Sequence, residues 1–168
     1  MRTLEWVCSA IEKTINFIII VCLMMMTAVI FYQVVLRYVF DSSNIWAEEF
    51  ARYAFIWVVL LGAASALRRF QHIRIDFVVN LLPERAQKLI NFINYILIVG
   101  FLATLIKYGI AISLKTTHQI SAGLHIPMSF MYMSIPVGSA LMLLFTVQII
   151  LRDFLVPTGA NTSASGSK

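Results

Sequence analysis

Apolar residues fall in four long blocks, near residues 15–36, 54–67, 89–106 and 128–151, with short polar stretches between them. At a rise of 1.5 Å per residue, about 20 apolar residues cross the ~30 Å hydrocarbon core of a bilayer. The pattern therefore predicts an all-α membrane protein with four transmembrane helices, at about residues 14–40, 45–67, 85–114 and 127–151, within a domain covering 1–157. The first is long enough to need tilt or protrusion. Only Asn16, Thr27, Tyr32 and Gln33 interrupt its apolar run. That run exceeds the core of a signal peptide and ends without a small-x-small cleavage site, so it reads as a retained helix.

Asp41, Ser42, Ser43 and Asn44 form a turn, with Ser43 or Asn44 as N-cap candidate for helix 2. The stretch 68–88 is the most polar internal segment. Phe70, Ile73, Phe77 and Leu81 recur within it at spacings of three and four, which predicts a short amphipathic helix on the membrane surface at about 69–82, between helices 2 and 3. Ile73, Ile75 and Phe77 also alternate, but a lone strand at the interface would leave its backbone unpaired. Pro127 suits the first turn of helix 4, and Pro136 with Gly138 should bend that helix. The tail 158–168 is small and polar, and reads as disordered or as an added remnant.

Composition narrows the function. Of 168 residues 60% are hydrophobic and 12% charged, against roughly 45–50% and 25% in soluble domains, which leaves no room for a soluble catalytic domain. Cys8 and Cys22 are too few for a disulfide framework. The net charge of +5 is unevenly placed. Nine basic residues, Arg2, Lys13, Arg68, Arg69, Arg74, Arg85, Lys88, Arg152 and Lys168, fall on one side, and four, Arg37, Arg52, Lys107 and Lys115, on the other. The positive-inside rule then puts both termini and the middle loop in the cytoplasm. Anionic lipids account for the positive charge, with no need for a nucleic-acid partner.

The densest polar constellation is Trp46-Ala47-Glu48-Glu49-Phe50-Ala51-Arg52-Tyr53. Arg52 is four residues from Glu48 and three from Glu49, so either carboxylate can reach it and one is left spare. The spare charge could meet a basic residue of another subunit; alternatively, the whole segment anchors a helix end at the water boundary. Adjacent glutamates point about 100° apart on a helix, and no Glu-x-x-His follows, so a carboxylate metal site lacks its ligands. Gly62 and Ala66 form a small-xxx-small pair suited either to a partner helix or to the chain's own bundle. Arg68, His72 and Asp76 share a helical register in Arg68-Arg69-Phe70-Gln71-His72-Ile73-Arg74-Ile75-Asp76, where a solvated face beside headgroups outweighs a pH switch. His118 and His125 flank Gly123 but share a face only if that loop were helical.

The missing features are equally informative. There is no phosphate-binding glycine loop with its lysine, and no histidine pair at mid-membrane depth for haem. No Asp, Glu or Arg lies near the centre of any predicted span, where substrate and ion paths are usually marked. The blocks do not divide into two matching halves with broken helices. Such a chain is poorly equipped to transport alone. An autonomous dimer of four-span chains is the rival reading.

Residues spread through 14–155 carry a family resemblance. They are Leu36-Arg37-Tyr38-Val39-Phe40, Trp46-Ala47-Glu48-Glu49 with Arg52, Gly62-Ala63-Ala64 before Arg68-Arg69, His72-Ile73 with Asp76, Leu82-Pro83, Ile126-Pro127-Met128 and Ile135-Pro136-Val137-Gly138. In that order they resemble the small, DctQ-type membrane subunit of TRAP (tripartite ATP-independent periplasmic) transporters. The resemblance implies a bacterial or archaeal inner-membrane complex, not an enzyme. A soluble binding protein hands an organic acid, such as sialic acid or a C4-dicarboxylate, to a large multi-span subunit driven by a sodium gradient. The small subunit braces that partner in a stable heterodimer, holds no cofactor or metal, and meets the binding protein transiently. The resemblance gives Trp46, Glu48, Glu49 and Arg52 a role in assembly rather than in substrate binding.

Overall fold

In hydrocarbon a chain can satisfy its backbone polar groups only by hydrogen bonding within a helix or a closed barrel. The computed structural model, which describes residues 2–42, 44–69 and 84–155, takes the helical solution throughout. Its elements are α1 (Arg2–Val39), α2 (Ile45–Arg69), α3 (Glu84–Lys115), a single turn α4 (Ser129–Tyr132) and α5 (Ser134–Leu155). As the four-block pattern predicts, four segments are long and apolar enough to cross a membrane: Trp6–Val39, Ile45–Arg69, Phe92–Lys115 and Ser129–Leu151. The surface helix expected at 69–82 and the tail 158–168 lie outside the described residues.

The long helices stand in the spatial order α1, α2, α5, α3: α2 packs on α1 and α5, and α5 packs on α3. The core joins Cys8 and Ile15 of α1 to Leu61 and Ala64 of α2 and Phe145 of α5, the last with no exposed surface. Between α1 and α2 the Ser65 hydroxyl donates to Asn16 Oδ1 at 2.7 Å, pairing two polar groups that hydrocarbon would leave unsatisfied. Helix α1 begins at Arg2, well before the expected residue 14, because Cys8, Ile11, Ile15 and Ile19 extend one apolar stripe against α2. Its far end closes at Asp41, which takes φ 49°. This left-handed turn, which Asp tolerates better than most residues, lets the N–H of Ser42 return to the Leu36 carbonyl at 3.2 Å.

Pro136 acts somewhat differently from the expected mid-helix bend. It sits in the first turn of α5, where a missing N–H matters least. Having no N–H, it cannot bond back to the carbonyl of Tyr132, the last residue of α4, although Met133 between the two helices keeps its bonds to Ser129 (2.8 Å) and Val137 (3.2 Å). Close helix approach relies on two glycines. A Cβ on Gly109 would lie 2.9 Å from Pro136 Cδ, and one on Gly138 would lie 2.9 Å from Leu60 Cβ. These contacts fix the relative heights of α3, α5 and α2.

Candidate functional site

Two polar clusters sit at opposite ends of α2. At its start, Arg52 Nη2 donates to Glu48 Oε1 at 3.1 Å, with both side chains mostly exposed (60% and 67%). Such an exposed i, i+4 pair contributes only about 0.3–0.5 kcal/mol, so stability does not explain it. Glu49, the carboxylate left spare by that pairing, turns to the loop between α3 and α4 of the same chain. Its Oε2 accepts the Ser121 hydroxyl and the backbone N–H groups of Gly123 (2.8 Å) and Leu124 (2.9 Å).

The loop is shaped for this clasp. Ser121 N–H bonds to the Ile126 carbonyl at 3.0 Å and Met128 N–H to the Gln119 carbonyl at 2.8 Å, an antiparallel bridge pairing Ile120 with Pro127. His125 turns the tip at φ 55°. Gly123 then presses directly on the first turn of α2: a Cβ there would lie 2.9 Å from Glu49 Oε2, the Ile45 carbonyl carbon and Trp46 Cα. Trp46 also meets Tyr32 of α1, ring centres 6.3 Å apart. One turn of α2 thus holds both α1 and the loop. Arg37 is exposed near the end of α1, and His118 and His125 are both exposed.

At the other end of α2, Glu12 of α1 takes both arginines: its Oε2 accepts from Arg68 Nη1 at 2.9 Å and its Oε1 from Arg69 Nε at 2.8 Å. Arg68 also donates to the Cys8 carbonyl and lies 5.5 Å over the Phe145 ring. From Glu49 to Arg68 the helix rises about 28 Å, close to the ~30 Å hydrocarbon thickness. The span is pinned by a polar cluster at each boundary.

The expected site residues are therefore split between the two ends. Glu48, Glu49, Arg52 and Trp46 gather at one, Arg68 and Arg69 at the other, while His72, Arg74 and Asp76 lie outside the described residues. Gly62 and Ala66 are half-buried, and a Cβ on Gly62 would meet nothing within 4 Å; the neighbouring Ala64 and Ser65 are the small residues buried inside the bundle. Pro127 sits in the loop bridge rather than in a helix. Sequence reasoning overlooked Glu12, although its place four residues from both Cys8 and Asn16 marks it as facing α2. It counted Lys107 only as one of the four basic residues of the non-cytoplasmic side; the structure places it within the apolar span Phe92–Lys115, eight residues before its end.

Residues 26–156 match the family described as tripartite ATP-independent periplasmic transporters, DctQ component. The chain belongs to the DctQ family of TRAP transporter components. It is 27% identical over 165 residues to the sialic acid TRAP transporter small permease protein SiaQ of Vibrio cholerae, covering 98% of this chain and 94% of that one. It is 39% identical over 64 residues to the C4-dicarboxylate TRAP transporter small permease protein DctQ of the same organism, covering 38% of this chain and 28% of that one. It is also 32% identical over 122 residues to the sialic acid TRAP transporter permease protein SiaT of Haemophilus influenzae. That match covers 73% of this chain but only 20% of SiaT. This DctQ-family chain is a multi-pass transporter component and not an enzyme.

Proposed function

We propose that this chain is the small scaffold subunit of a sodium-coupled TRAP importer in the bacterial inner membrane. It pairs stably with a large multi-span subunit that carries the substrate and binds the sodium. A soluble binding protein delivers the cargo, an organic acid such as sialic acid or a C4-dicarboxylate, by analogy with the relatives named for those substrates. The basic-residue asymmetry favours cytoplasmic termini. One observation carries this reading: among the side chains whose surroundings the structure describes, no charged group is buried within the bundle, and each of these lies at a polar end cluster or on the exposed surface. A groove of about 360 Å³ between α1, α2 and the loop, walled by residues such as Ile18, Met25, Phe50 and Phe130, is apolar. A chain with no polar path of its own fits a brace better than a carrier.

Glu48 offers the test of pairing, because its exposed carboxylate is free of the loop clasp. In cells co-expressing the large subunit, Glu48→Lys is expected to lower the amount of large subunit recovered with this chain, or to slow uptake. Unchanged recovery together with unchanged uptake would remove Glu48 from the interface. The rival reading, an autonomous dimer, finds no inward-facing charge to support it among the side chains whose surroundings the structure describes.

A further inference from the structure

Lys107 is a charge that the helix packing places near the middle of the span and that enters no ion pair among the described residues. Contacts between helices set its height. Gly109 of α3 lies against Pro136 of α5, and Gly138 of α5 lies against Leu60 of α2. Lys107 is two residues from Gly109 and Gly138 two residues from Pro136, in the same direction, so Lys107, Gly138 and Leu60 are nearly level. Along α2, Leu60 is about 16 Å from Glu49 and about 12 Å from Arg68, near the middle of the span between the polar clusters. A lysine stem reaches about 6 Å, short of either boundary.

The Lys107 side chain is exposed on the outside of the bundle. Its recorded contact is the neighbouring Tyr108 ring, 5.9 Å from Nζ, and none of the ion pairs among the described residues includes it. Hydrocarbon offers no acceptor at this depth, and lipid phosphates lie at the boundaries. Ionisable residues inside membranes almost always face protein or a water-filled cavity and pair there. The surrounding face of α3 is built for close approach. Gly100, Ala103, Thr104 and Ala111 share the exposed stripe with Lys107, nothing lies within 4 Å of a Cβ on Gly100, and the Thr104 hydroxyl is turned back to the Gly100 carbonyl at 2.8 Å. Small residues of this kind let helix backbones approach in lipid.

We propose that this stripe is the docking face for a transmembrane helix of the large subunit, and that this helix presents an aspartate or glutamate at mid-bilayer depth to Lys107. The inference rests on the pairing proposed above and names its contact. In the co-expressed complex, K107R should retain the large subunit. K107M should lose part of it and K107E about tenfold or more, and reversing the matching acidic residue of the large subunit to lysine should restore K107E. The chain purified alone supplies the folding control: K107M should unfold at no lower temperature than the unaltered chain. Recovery of the large subunit by K107M and K107E at the unaltered level would overturn the inference. So would an intact complex without uptake, which assigns Lys107 to transport, or a lowered unfolding temperature of K107M alone, which assigns it to this chain's own fold. If the unaltered chain recovers no large subunit at all, the pairing itself falls, and this contact with it.

Discussion

Replacing Gly123 by alanine puts a carbon where three atoms already stand, each 2.9 Å away: Glu49 Oε2, the Ile45 carbonyl carbon and Trp46 Cα. Two of these are backbone atoms in the first turn of α2 and cannot move alone. The third can swing away only by releasing the Ser121 hydroxyl and the Gly123 and Leu124 N–H groups. Relief must come from lifting the loop off the helix. Overpacking of this kind costs about 1–3 kcal/mol, and 2 kcal/mol corresponds to a roughly 30-fold larger opened population. Gly62→Ala is the matched control, since nothing lies within 4 Å of the added carbon and a helix interior gains up to about 1 kcal/mol from the exchange. Thermal unfolding in detergent can be followed with a thiol-reactive dye in a Cys22→Ser background, because Cys8 is only 1% exposed when folded whereas Cys22 is already partly exposed. G123A should melt earlier and exchange amide hydrogens faster across 121–128, while G62A should match or exceed the unaltered chain. If G123A leaves both readouts unchanged, the loop does not rest on α2 and the clasp is refuted.

Two further substitutions probe the remaining polar groups. Glu12→Ala strips Arg68 of its carboxylate and leaves it the Cys8 carbonyl and the Phe145 ring. Breaking a fully buried pair costs about 3–5 kcal/mol; with 16% and 18% of these side chains exposed, about 2–3 kcal/mol is expected after solvent screening. A double-mutant cycle with Arg68→Ala should return a coupling above about 1 kcal/mol. Tyr53→Phe should leave the unfolding midpoint unchanged or raise it, because Tyr53 Oη is buried with no hydrogen-bond partner among the described residues; a clear drop would show that the hydroxyl is bonded.

The four spans were legible because hydrocarbon imposes one length and one polarity on any crossing helix. The i, i+4 spacing made the Glu48–Arg52 pair legible for the same kind of local reason. The start of α1 was not legible because Arg2, Glu5, Glu12 and Lys13 keep the segment before residue 14 out of the apolar blocks, although Cys8 and Ile11 pack into the bundle. The partner of Glu49 lies more than 70 residues away in sequence. Gly123 was its only local signal, and one loop glycine does not say which helix it touches. Lys107 was counted with the basic residues of the non-cytoplasmic side, with no depth attached. Its true height emerges only when Gly109 meets Pro136 and Gly138 meets Leu60, contacts that no periodicity within α3 encodes. Pro136 signalled a disturbance correctly, but whether a proline bends a helix or begins one depends on where the preceding loop ends.

Whether this chain braces a transporter without conducting anything itself can be measured in proteoliposomes. This chain alone, the large subunit alone and the two together would each be supplied with loaded binding protein and an inward sodium gradient, and labelled organic acid counted inside. Accumulation only when both subunits are present is the expected result. Uptake by this chain alone would make it a carrier, and full uptake by the large subunit without it would leave no bracing role.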